Sequence, residues 1–128
     1  MGWAEKAIEA IKERGGKVTP QRLKIVKVIE ELGPKHPSLK EVLEKVRREF
    51  PTVSFSTLYN NVLILKEAGL LYIFYHDGEA RIEVNTLPHI NIVSDGEIVD
   101  LLDPNVIAVI EEKLRKKVLF VNAYTAKD

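Results

Sequence analysis

Residues 54–84 read SFSTLYNNVLILKEAGLLYIFYHDGEARIEV, and a change of period inside this stretch decides the fold. Leu58, Val62, Leu65 and Ala68 fall three or four residues apart, the spacing of one helix face, until Gly69 ends the pattern. From Leu70 the period drops to two, with Leu71, Ile73 and Tyr75 alternating with Tyr72 and Phe74. His76-Asp-Gly-Glu79 then supplies a tight turn, because Asp-Gly takes up the left-handed backbone that a two-residue hairpin loop demands. Arg81 to Val84 returns as the second strand.

Towards the N-terminus three further helical patterns lead into this one. The first carries Trp3, Ala7, Ile8 and Ile11 and stops at Gly15-Gly16. The second opens at Thr19-Pro20, a capping hydroxyl followed by proline in the first helical position. It places Leu23, Val26, Ile29 and Leu32 on one face before Gly33-Pro34. Ser38-Leu-Lys-Glu41 is a capping box opening a third helix, with Leu39, Val42, Leu43, Val46 and Phe50 as its buried stripe and Pro51 as its end. Three packed helices followed by a β-hairpin make a winged helix-turn-helix, here with one extra helix in front. Downstream, Ile90 to Val93, the Asp95-Gly96 turn and Glu97 to Leu101 form another hairpin. Pro104 opens a helix with Val106, Val109, Ile110 and Leu114, and Val118 to Tyr124 is a last strand. The predicted class is α+β, with a winged helix-turn-helix over residues 1–84 and a small α/β unit of ββαβ order over residues 85–128. About 40 residues is below the size that usually folds alone, so the second unit is expected to need a partner surface.

Composition narrows the function. A chain of 128 residues that is 45% hydrophobic and 30% charged can build a core, and it is too short for a large multidomain enzyme. Nineteen basic side chains balance nineteen acidic ones. Residues 1–84 carry 14 − 12 = +2 and residues 85–128 carry 5 − 7 = −2, a mild asymmetry that favours the first half for contact with a polyanion. The absence of cysteine excludes disulfides, Cys-x-x-Cys redox chemistry and Cys-ligated metal, so any metal must be held by His, Asp, Glu or backbone oxygen. No apolar stretch reaches about 18 residues and the N-terminus lacks a signal pattern, so a cytoplasmic location without a membrane partner is expected. No Gly-rich phosphate loop, nucleophile elbow or zinc-protease motif is present, and no enzyme activity is expected.

The fourth helix carries the first chemical signal. Around its start lie Ser56, Thr57, Tyr59, Asn60 and Asn61, with no charge before Lys66, where a helix needing only solubility would show Glu and Lys. Two readings fit: a surface that meets something polar, or a cap region with ordinary variation. In a helix-turn-helix the second helix of the pair enters the major groove, while flanking basic groups hold phosphates. Lys17, Gln21, Arg22 and Lys24, with Arg81 in the hairpin, are candidates for the latter role, against the alternative of a solvated surface for each.

Gly16-Lys-Val-Thr-Pro-Gln-Arg-Leu23, His36-Pro-Ser-Leu-Lys-Glu-Val42, and Phe50-Pro-Thr-Val-Ser-Phe-Ser-Thr-Leu-Tyr-Asn-Asn-Val62 with Glu67-Ala-Gly-Leu70 together resemble the ferric uptake regulator family, especially its peroxide-sensing branch. The resemblance implies a homodimeric transcription repressor on double-stranded DNA, with an N-terminal winged helix and a C-terminal α/β unit that dimerises. It implies that Tyr59 meets thymine methyls, that Asn60 reads a neighbouring base and that Lys17 enters the minor groove. It also implies one divalent metal ion per subunit, Mn²⁺, Fe²⁺ or Zn²⁺, held by His36, Glu83, His89 and Asp100.

Departures from the family pattern are equally specific. The family's other clustered histidine falls on Leu87 or Asn91, and a structural zinc held by four cysteines is ruled out. Two readings therefore stand: a metal-responsive regulator with a reduced His/carboxylate site, or a degenerate winged helix acting as a metal-independent DNA-binding or protein-interaction module.

Overall fold

Helices of the first unit begin where a side chain can take a free backbone amide. α2 (Pro20–Leu32) is capped by Thr19, whose hydroxyl accepts from the Arg22 amide at 3.2 Å. α3 (Leu39–Arg47) starts in the full capping box of Ser38 and Glu41, and α4 (Phe55–Glu67) starts on Ser54, which accepts from the Thr57 amide at 3.1 Å. α1 (Trp3–Glu13) has only Gly2 at its start, and Glu30 of α2 reaches across to accept from the Ala4 amide at 3.1 Å. The computed structural model describes residues 2–127, in two compact units that part between Val84 and Asn85. Met1 and Asp128, the outermost residues of the two expected units, lie outside the described residues.

The core of the first unit joins Ala7 and Ile11 of α1, Ile25, Val26, Val28 and Ile29 of α2, Val42 and Val46 of α3, and Leu58, Val62 and Leu65 of α4, closed by Leu71 and Ile82. Leu23 and Leu32, expected on the buried stripe of α2, are only half-buried, and Ile25 and Val28 take their place. α2 packs against α1, α3 and α4 at once, so its apolar arc is wider than one stripe. Ala68 is exposed because α4 ends at Glu67 and Ala68 is its C-cap. α3 ends at Arg47, three residues earlier than Phe50, and a turn delivers Phe50 half-buried, its amide on the Val46 carbonyl at 2.9 Å. α1 is tied to the far end of α4: Trp3 Nε1 donates to the Leu70 carbonyl at 2.8 Å, and Arg14 pairs with Glu67 at 2.6 Å.

β1 (Tyr72–His76) and β2 (Glu79–Glu83) form the antiparallel wing, in register from Tyr72↔Glu83 to His76↔Glu79. Asp77 and Gly78 at its tip have φ of 52° and 73°, the paired left-handed residues of a type I′ turn.

In the second unit β3 (Ile90–Ser94) pairs antiparallel with β4 (Glu97–Leu101), α5 (Pro104–Leu114) crosses over, and β5 (Val121–Tyr124) returns parallel to β3, giving the order β4-β3-β5. The last strand begins at Val121, not Val118. The Val118 amide is taken by the Glu111 carboxylate at 2.9 Å, and pairing starts where the Val121 amide reaches the His89 carbonyl at 3.0 Å. Ile90, Val93 and Ile107 are buried, while Val99, Leu101, Val106, Val109, Leu114 and Leu119 are exposed. No helix among the described residues is long and apolar enough to cross a membrane.

Candidate nucleic-acid interface and metal ligands

The start of α4 is built from Ser54, whose hydroxyl also lies 3.0 Å from that of Thr57, so the cap is closed by side chains of the helix itself. Ser56 and Asn60 are exposed, Thr57 is half-buried, and Tyr59 is half-buried with its ring packed on the core. Asn61 departs from expectation. It stands three residues after Leu58 and four before Leu65, on the core side of the helix, where it is 3% exposed and donates from Nδ2 to the Thr57 carbonyl at 2.8 Å. It is an interior residue and not part of the outer face. Phe55, which the sequence reading passed over, is 49% exposed and stacks on Tyr59 with centroids 5.9 Å apart and planes 12° apart. Its spacing gave no warning: Phe55 stands three residues before Leu58 and seven before Val62, in line with the buried stripe, and it is left half in water because it is the first residue of the helix, four residues before Tyr59.

Among the basic candidates, Lys17 is exposed and Gln21 half-buried. Arg22 donates from Nη1 to the Lys17 carbonyl at 2.7 Å, so its guanidinium braces the segment that carries Lys17. Arg81 is turned into the first unit. Its side chain is 19% exposed, Nη1 donates to the His36 carbonyl at 2.9 Å, and the carboxylates of Glu79 and Glu41 lie 3.6 Å and 3.8 Å away. Arg81 is expected from the sequence to hold a phosphate; in this structure its guanidinium meets a carbonyl and two acids inside the first unit. His76, at the hairpin turn, is half-buried and lies 3.2 Å from the Asp77 carboxylate.

The wing and the segment before α3 bring two of the four candidate ligands together. Ile82 donates to the Pro37 carbonyl at 2.9 Å and Ser38 bridges Arg81, so residues 36–38 lie along β2. This places His36 Nε2 3.3 Å from Glu83 Oε2, both side chains 1% exposed, with the His36 ring edge-on to Phe74. His36 has φ of 53° and ψ of 59°, a left-handed setting disfavoured for a side chain of its size and again before proline. Two ligands about 2.0–2.2 Å from one tetrahedral ion are about 3.4 Å apart, so the spacing suits a shared cation. A borderline imidazole nitrogen beside a hard carboxylate oxygen suits Mn²⁺, Fe²⁺ or Zn²⁺.

The other two candidates lie in the second unit. Asp100 is exposed on β4 and accepts from Asn85 Nδ2 at 3.2 Å. His89 is fully buried. Its Nδ1 is 2.7 Å from the Leu87 carbonyl, its Nε2 is 3.1 Å from Asn91 Oδ1, and Asn91 in turn donates to Asn122 at 3.0 Å. Phe120 stacks on its ring at 5.9 Å. His89 thus lies in a polar network that joins the start of β3 to β5.

The ferric uptake regulator family matches residues 13–125. A ferric uptake regulation protein homolog of Archaeoglobus fulgidus is 50% identical over 122 residues, covering 95% of each chain. A peroxide-responsive repressor of Staphylococcus aureus is 31% identical over 103 residues, 78% of this chain and 69% of the other. The solved structure of the Helicobacter pylori ferric uptake regulator shares the fold with a TM-score of 0.69 at 22% identity, covering 95% of this chain and 91% of that one. With the match spanning nearly the whole sequence and half of all positions shared with one relative, the chain belongs to the ferric uptake regulator family.

Proposed function

We propose that this chain is a homodimeric transcription repressor of the cytoplasm that reads double-stranded DNA with the N-terminal end of α4 and responds to one divalent metal ion per subunit. The observation that carries the proposal is the uncharged outer face of α4, where Ser56 and Asn60 stand exposed beside a pair of stacked rings. Such a face matches base edges, because an amide can pair with adenine N6 and N7 and an apolar edge can meet a thymine methyl. Lys17, with Arg22 holding its segment, is the phosphate or minor-groove contact. The exposed apolar side chains of the second unit, Val99, Val106, Val109 and Leu119 among them, support its role as the surface that meets a second copy.

His36 and Glu83 are the centre of the proposed metal site, with Asp100 retained from the sequence pattern as the third ligand. A cation there would neutralise the Glu83 carboxylate and hold residues 36–38 against β2. A structural zinc of the four-cysteine kind has no ligands in this sequence.

The test is selection of bound duplexes from a random pool, followed by titration of the enriched site. Asn60→Ala should weaken that site by about 1–3 kcal/mol and relax its base preference, while Lys17→Ala should weaken all duplexes alike and lower the salt slope by about one. A folded protein that enriches no sequence would favour the protein-interaction reading.

A further inference from the structure

Phe55 is the first residue of α4 and continues the spacing of Leu58, Val62 and Leu65, yet its ring is half in water and takes no part in the core those residues build. The helix start is already satisfied by Ser54 and Thr57, so the ring is not needed to cap it. We infer that Phe55 is a specificity-determining residue whose ring forms the outer apolar contact of α4 with the 5-methyl groups of thymine, and that Tyr59, stacked beneath it, fixes the angle of that ring. The inference rests on the DNA-binding reading above.

Three observations carry it. First, the contact is pre-set. Tyr59 packs on the core, so the near-parallel stack at 5.9 Å holds Phe55 on an anchored platform, and a ring with two torsions loses little freedom on binding. Second, the rings are flanked on the outside by Ser56 and Asn60, both exposed and uncharged, so apolar and hydrogen-bonding groups alternate along one ridge. That alternation matches an A·T pair in the major groove, where a thymine methyl lies beside the donor and acceptor of adenine. Third, among the described residues of the first unit the exposed large apolar side chains are Val18, Phe55 and Tyr75, on a loop, on α4 and on β1, whereas a protein-docking face would present a contiguous apolar patch. Phe55 would share with Tyr59 the thymine contact that the family resemblance assigns to the tyrosine, as the outer ring of the pair.

The experiment replaces each thymine of the selected duplex, one at a time, by deoxyuridine, which removes a methyl and leaves every hydrogen bond. Affinities are then measured for the unaltered protein, Phe55→Ala and Tyr59→Phe. The unaltered chain should lose about fourfold at one or two positions, the worth of one buried methyl. Phe55→Ala should bind the thymine duplex at least about fivefold more weakly and show no further loss on deoxyuridine at those positions. Tyr59→Phe keeps the stack and should retain the methyl effect. Far-UV circular dichroism and two-state urea unfolding verify that Phe55→Ala is folded, as expected for a ring outside the core. Phe55→Ala with the full deoxyuridine penalty, or an unaltered chain with no penalty at any thymine, overturns the inference while leaving DNA binding intact. Failure of the unaltered chain to prefer any duplex overturns the DNA-binding reading and this inference together.

Discussion

Replacing Arg81 by methionine separates an internal brace from a phosphate contact, because methionine keeps much of the apolar stem and removes the guanidinium. What is lost is one charge-assisted bond to the His36 carbonyl at 2.9 Å, in a side chain only 19% exposed, and the attraction of two carboxylates at 3.6 Å and 3.8 Å. A hydrogen bond to a charged group contributes about 1.5–3 kcal/mol when its partner would otherwise be left unpaired. The carboxylates of Glu79 and Glu41 are 44% and 54% exposed, so solvent screening limits them to less than about 1 kcal/mol together. Backbone contacts between residues 37–38 and β2 survive, which keeps the wing in place. The expected result is a loss of about 2 kcal/mol in unfolding free energy, measured by urea denaturation with an unchanged slope, and a DNA salt dependence equal to that of the parent chain. A variant of parental stability whose salt slope falls by about one unit would refute the reasoning, since that is the signature of a lost phosphate contact.

At Gly33 an added methyl would stand 2.7 Å and 3.0 Å from the two γ carbons of Val84, so Gly33→Ala should cost about 1–3 kcal/mol and Val84→Ala should restore most of it, as thermal unfolding of the single and double variants will report. Calorimetric titration with Mn²⁺ or Zn²⁺ should show affinity falling at least about tenfold in Glu83→Gln, since a neutral amide is a poor substitute for a ligating carboxylate. If His89 serves the polar network and not the ion, His89→Ala should keep the metal stoichiometry in the same titration and lose about 1–3 kcal/mol in urea unfolding through its lost contact with Asn91; loss of the ion would place His89 among the ligands.

The features legible in the sequence are those set by contacts a few residues apart. Thr19-Pro20 and Ser38 with Glu41 mark helix starts because their side chains bond to amides within the same turn, and the Asp-Gly pairs mark hairpins because two left-handed residues in succession are rare elsewhere. What the sequence left open depends on partners far along the chain. Asn61 has the spacing of a core residue and the polarity of a surface one, and only the Thr57 carbonyl beneath it decides between them. Arg81 looks like any wing cation until residues 36–38 are laid beside β2. His89 reads in the sequence only as a ligand candidate, and its neighbours Leu87, Asn91 and Asn122 show only in the fold, because the parallel strand that completes the network lies beyond a crossover helix.

That crossover has a consequence for how the chain comes off the ribosome. Everything the first unit needs has been translated by Val84, and its wing closes through a two-residue turn. The second sheet is different: Ile90 finds its parallel partner only in Val121, 31 residues later, so β3 remains unpaired on one side until β5 leaves the exit tunnel. At about 5–20 residues per second that interval is a few seconds, long compared with the time a hairpin or a helix needs to form. The winged-helix unit therefore has its whole sequence available while the sheet of the second unit still lacks its last strand, and the nascent molecule passes through a stage with one unit complete and the other open.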